Sequence, residues 1–146
     1  MSRLLVLIAL ATFMLTSPPA RAYNTLKYGW SGSTEITWAG SSQPVPWTLH
    51  PNGCADISFD KAQAAVAAAF ASWQAVGCAG ISFSYKGTAT SAPSLGIWVR
   101  FQNGSWDPSV DGAAAYSVTT DYGSNGDIRR NEIVYNDAEL TWTDED

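Results

Sequence analysis

Thirteen acids, one histidine and two cysteines limit the chemistry open to this 146-residue chain. His50 lies between Leu49 and Pro51 with no acidic or nucleophilic neighbour in sequence, and no nucleophile-elbow motif occurs anywhere. A structural or surface histidine is therefore expected. A zinc site built from three His or four Cys cannot be assembled from this composition. Asp121, Asn125, Gly126, Asp127, Ile128 and Glu132 fit positions 1, 5, 6, 7, 8 and 12 of an EF-hand loop. Position 3 is Gly123, which has no side-chain oxygen, and the flanks read as strands, so an acidic turn is expected there instead. Carboxylate pairs are always available among so many acids, and a glycosidase reading gains nothing from composition alone. Asn103-Gly104-Ser105 is a glycosylation acceptor only in a eukaryotic source.

The rest of the composition describes a folded, exported domain. With 46% hydrophobic and 14% charged residues the chain can bury one core. A net charge of -5, with Arg129 and Arg130 as the only adjacent basic pair, excludes a phosphate-binding surface for nucleic acid. Met1-Ser2-Arg3, the apolar run Leu4 to Leu15 and the small-x-small site Ala20-Arg21-Ala22 read as a signal peptide over 1–22, cleaved after Ala22. That run of about 12 residues is shorter than the roughly 20 a helical span needs, so no membrane span is expected after cleavage. The expected location is secreted, extracellular or periplasmic. Residues 23–44 form an N-terminal segment ahead of a domain over 45–146.

Export also makes a Cys54 to Cys78 disulfide the default for a two-cysteine chain. A helix of about 25 Å from Phe59 to Ala75 separates the two, and extended arms of roughly 13 and 10 Å only just return them to bonding distance. A strained bridge and two separate buried thiols both stay open. Ser58 can cap that helix, Val66, Phe70 and Trp73 share one face expected to pack into the core, and Gly77 is placed to end it. Strands are expected at Pro44 to Leu49, Ile81 to Tyr85, Ile97 to Phe101, Ala113 to Thr120 and Glu132 to Tyr135. The pattern is α+β: one long amphipathic helix on a twisted mixed sheet.

Ala69-Phe70-Ala71-Ser72-Trp73-Gln74-Ala75-Val76, followed by Ile81-Ser82-Phe83, resembles the first helix and second strand of the matrixins, zinc metalloendopeptidases of the metzincin group. Ile97 to Phe101, Asp111-Gly112 with Ala113 to Tyr116, and Glu132 to Glu139 with Trp142-Thr143 resemble later pieces of that domain, in the same order. The resemblance implies a five-stranded mixed sheet with one antiparallel edge, like the upper metzincin subdomain. It implies a protein or peptide substrate, whose backbone would pair with an edge strand through Ala114, Ala115, Tyr116 and Ser117. It implies catalytic zinc, yet the His-Glu-x-x-His-x-x-Gly-x-x-His helix is absent from this sequence, so neither the three ligands nor the catalytic Glu is present. Val134 stands where many members hold a structural-zinc histidine, and Gly96 where many hold an aspartate. Asn136 and Glu139 match two positions that often ligate structural calcium.

The sequence thus reads as the N-terminal, upper-sheet part of a secreted zinc metalloendopeptidase, truncated and inactive alone, with its sheet underside exposed. The alternative is a non-enzymatic secreted module whose tryptophans bind glycans or proteins. A third reading is a pseudo-enzyme or inhibitor that kept the sheet and lost the catalytic helix.

Overall fold

A computed structural model describes residues 27–28, 34–40, 43–77 and 80–143. The expected signal peptide over 1–22 and Cys78 lie outside the described residues. Strands β1 (Lys27–Tyr28) and β2 (Thr34–Glu35) form a small antiparallel pair of their own. The main sheet holds β3 (Thr37–Trp38), β4 (Val45–Leu49), β5 (Phe83–Thr88), β6 (Gly96–Gln102), β7 (Ala115–Tyr122) and β8 (Asp127–Asn136). Helix α1 (Phe59–Gln74) links β4 to β5.

The class is α+β with a mixed sheet and one α-helix among the described residues. Five strands were expected in that sheet, and six are present. The sixth is β3, a two-residue stub that pairs in parallel with Asp127 and Ile128 and is too short to show a periodicity in sequence. The longer strands run β7-β8-β6-β4-β5, and the stub β3 meets the start of β8 at Asp127 and Ile128, before the stretch from Arg130 to Asn136 that pairs with β6. Every pairing in the sheet is parallel except β7 with β8. Asp121 to Glu132 closes that antiparallel hairpin: Gly123 N donates to Asp127 O at 2.8 Å and Gly126 takes φ 84°. Strands flank it on both sides, as an acidic turn requires and an EF-hand does not.

Ser58 caps α1, its Oγ accepting from Lys61 N at 3.4 Å, and Asp60 complements the positive end of the helix. Ala62, Val66 and Phe70, spaced by four, are the buried residues of the helix. They meet Val45, Trp47 and Leu49 of β4 and Ile97, Val99 and Phe101 of β6, the alternate residues of two neighbouring parallel strands. The Trp47 ring lies 5.0 Å from Phe70 and 4.4 Å from Tyr85, and Phe70 lies 4.6 Å from Phe83. Each buried aliphatic or aromatic side chain here contributes about 1.5–3 kcal/mol.

Two details of the helix differ from expectation. Gly77 is not its left-handed stop: α1 closes on Ala75, whose N–H donates to Ala71 O, and the glycine with positive φ in this stretch is Gly80. Trp73 does not join the core, and is 67% exposed. It stands on the last turn, beside the part of the sheet that α1 does not cover.

Gly96 opens β6 at φ 106°, and a Cβ built there would lie 2.2 Å from the Pro46 carbonyl oxygen. No L side chain fits that approach unless the backbone shifts. Gly96→Ala is expected to destabilise the chain by at least about 2–3 kcal/mol in a urea melt, whereas a change under about 0.5 kcal/mol would show that this approach relaxes freely.

Candidate functional site

Strand β7 pairs with β8 alone, so one side of it has no strand partner among the described residues. Asn136 N donates to Ala114 O at 2.9 Å, which makes Ala114 and Asn136 a hydrogen-bonded pair at the start of the ladder. Antiparallel ladders alternate, so Tyr116 and Val118 turn their backbone groups to β8 while Ala115 and Ser117 turn theirs to the free side. Ala114, Ala115, Tyr116 and Ser117 are thus consecutive at the beginning of an open edge. Tyr116 is packed against Trp106, with ring centroids 5.4 Å apart, and Ser117 Oγ donates to Asn131 Oδ1 at 3.0 Å.

Beside that edge the inner face of the sheet is only half covered. Two adjoining hollows, of about 90 and 130 Å³, run between α1 and β8. Val66, Ala69, Phe70 and Trp73 of the helix face Ile133 and Tyr135 across the smaller, and Ala62, Ala65 and Val66 face Phe101 and Tyr135 across the larger. Trp142 closes one end, its ring edge-on to Phe101 and Tyr135. From Ala62 to Val76 the helix and the two residues after it carry no charge, although most of that stretch is exposed. An apolar helix face and an apolar strand face here flank a groove that no described residue fills.

The turn after β8 is held by hydrogen bonds. Asn136, 1% exposed, accepts from Glu139 N at 3.1 Å through Oδ1 and donates through Nδ2 to Glu139 Oε2 and Ala113 O. The two residues singled out for calcium are therefore brought together and committed to one another. Next to them Asp137 accepts from Cys54 Sγ at 3.0 Å and from Ala55 N at 2.8 Å, while Asp56 accepts from Trp142 N at 2.9 Å. Cys54, Asp56 and Asp137 bring three donor atoms within 4.8 Å of one another, the kind of grouping that can hold a cation. Both Asp137 oxygens already have partners, so as it stands the group is a latch joining the segment before α1 to the turn after β8. Cys54 is a free thiol, and its supposed partner Cys78 lies outside the described residues.

Burial pushes the Cys54 thiol above its ordinary range, and the hydrogen bond to Asp137 adds to this. Such a thiol is a protonated donor at neutral pH. His50 sits at the end of β4, its Nδ1 accepting from Asn52 N at 3.2 Å and its ring edge-on to Trp98. Alternation along β4 puts it on the face opposite α1, away from the groove. Sequence reasoning missed the Cys54–Asp137 link, which spans 83 positions, and the ion pair of Arg100 with Glu132. Only the acidity of the turn hinted at either. No protein-family profile, curated protein or solved structure matches the chain. Among the described residues no helix is long and apolar enough to cross a membrane.

The latch has a pH signature. A thiol with a raised folded-state pKa contributes stability that is complete below its ordinary pKa and is lost as pH rises through the folded value; half-buried Tyr135, also raised, acts in the same sense. Thermal stability is expected to fall from about pH 8.5 upward. Cys54→Ala should cost about 1 kcal/mol at neutral pH and flatten the alkaline fall. Melting curves of the two proteins that stay parallel across the alkaline range would show that the thiol is not part of the latch. Trp73→Glu, at an exposed position, should change stability by less than about 0.5 kcal/mol while raising solubility, read as the protein remaining after centrifugation.

Proposed function

We propose that this chain is the sheet half of a secreted, matrixin-like zinc metalloendopeptidase, and that β7 holds the backbone of an extended peptide substrate. The observation that carries the reading is the coincidence of a free antiparallel edge with an apolar groove on the adjoining face. An extended peptide laid along β7 finds the outward N–H and C=O groups of Ala115 and Ser117, two small residues that let its backbone come close. The five longer strands, with their single antiparallel member at the edge, support the same reading, as does the order of the resembling segments. Secretion rests on the leader-like residues 1–22.

The described residues do not make a zinc centre. The one histidine stands on the face opposite the groove, and the Cys54 cluster is closed by its own hydrogen bonds. Catalytic zinc would need ligands from outside these 146 residues, so the chain by itself binds and orients but does not hydrolyse.

Two outcomes test this. Purified 23–146 incubated with casein and zinc is expected to release no peptides, and cleavage that a chelator abolishes would contradict the proposal. In a nitrogen-15 NMR titration with short extended peptides, shifts should concentrate at 114–118. Ser117→Pro removes an outward N–H while sparing the ladder to β8, and should weaken peptide binding about tenfold with the fold retained. Equal binding by that variant would place the peptide elsewhere.

A further inference from the structure

The outer face of the sheet, opposite α1, carries a second feature that the edge strand does not use. A cleft of about 480 Å³ opens there, lined by His50, Asn52, Trp98, Arg100, Gln102 and Glu132, with Asn103 and Gly104 at its rim. It sits at the carboxyl ends of β4 and β6. From β4 the chain first places β5 on one side and then β6 on the other, so strand order reverses there, and such reversals leave a crevice suited to ligands. Its volume falls within the roughly 300–1,000 Å³ of small-molecule sites.

The lining is built and not incidental. Trp98 Nε1 donates to Ala89 O at 3.0 Å, the Arg100 guanidinium lies 5.7 Å from the indole centroid, and the His50 ring meets its edge at 5.7 Å. Arg100 in turn bonds Glu132 through Nε and Gln102 through Nη1, and Gln102 Nε2 donates to Ser105 O at 3.2 Å. Each large side chain in the cleft is therefore oriented by another. Thr48, the register partner of Trp98 and 9% exposed, leaves its Oγ1 without a protein partner on this same face.

The remaining valences define the ligand. His50 Nδ1 is used as an acceptor, so the neutral ring presents a donor at Nε2. The amides of Asn52 and Asn103 supply donors and acceptors side by side. Arg100 and Glu132 neutralise each other, so an anion would have to compete with Glu132 and a cation with Arg100. A lipid chain would strand these polar groups. An uncharged ligand with many neighbouring hydroxyls and an apolar C–H face matches amides, a charge-neutral pair and an indole together. We infer that this cleft is a binding site for a neutral oligosaccharide, separate from the β7 edge.

The test titrates the purified chain with neutral oligosaccharides of glucose, xylose, mannose and N-acetylglucosamine, and with acidic oligogalacturonides, following the Trp98 indole N–H and the His50 and Asn103 amides by NMR. At least one neutral oligosaccharide should shift these signals at millimolar concentration. The double variant Asn52→Ala and Asn103→Ala, at exposed positions that spare the core, should weaken that binding about tenfold. A folded protein whose cleft signals stay still across the neutral panel, respond only to the acidic ligands, or respond equally in the double variant would overturn the assignment. Peptide binding at 114–118 is read from different residues, so the two proposals fail separately.

Discussion

A sixteen-residue helix lying on one face of a six-stranded sheet cannot cover that face. Helix α1 buries Ala62, Val66 and Phe70 against β4, β5 and β6, and there the packing is dry: Val45, Leu49 and Val99 are fully buried. Over β8 the same face carries Ile133 and Tyr135, which α1 reaches only from the side. The uneven cover explains why Trp73, on the helical face that should be internal, meets solvent. It also explains how an apolar groove comes to lie beside β7, which among the described residues is an edge strand of the sheet, as β5 is at the other end.

The opposite face solves its exposure differently. The segment between β6 and β7 folds back so that Trp106 is buried and packs on Tyr116, and Val134 of β8 is fully buried on that side. Asn136 fastens the arrangement by bonding Ala113 at the end of that segment and Glu139 in the following turn. One residue further on, Asp137 fastens the turn to Cys54 and Ala55. Two adjacent residues at the end of β8 thus tie the outer covering and the segment before α1 to the same strand. What remains open on this face is polar, framed by Trp98, Arg100 and Glu132, whereas the opening on the inner face is apolar. The two openings invite different ligands because strand alternation sorts side chains by type.

The parts of this arrangement that depend on local periodicity were legible in the sequence. The five longer strands, the helix from Phe59, its Ser58 cap and the edge position of Ala115 to Ser117 follow from alternation, helical spacing and the family resemblance. The resemblance also singled out Asn136 and Glu139, which the structure joins by hydrogen bonds without indicating an ion. What depends on register across distant segments was not legible. Cys54 meets Asp137 only after β4, β6 and β8 are in place side by side, and Arg100 meets Glu132 only because Trp98 and Glu132 are register partners one step away. The exposure of Trp73 could not be read from its helical face either, since it reflects where the helix ends relative to the sheet.

Among the described residues, β7 keeps a free backbone edge next to an open apolar groove. Amide hydrogen exchange along 114–118 tests it most directly, because alternation makes a residue-by-residue statement. In the chain alone, the amides of Tyr116 and Val118 should exchange slowly and those of Ala115 and Ser117 fast. Equal protection of all four amides would mean that this edge is already paired, and would contradict the account.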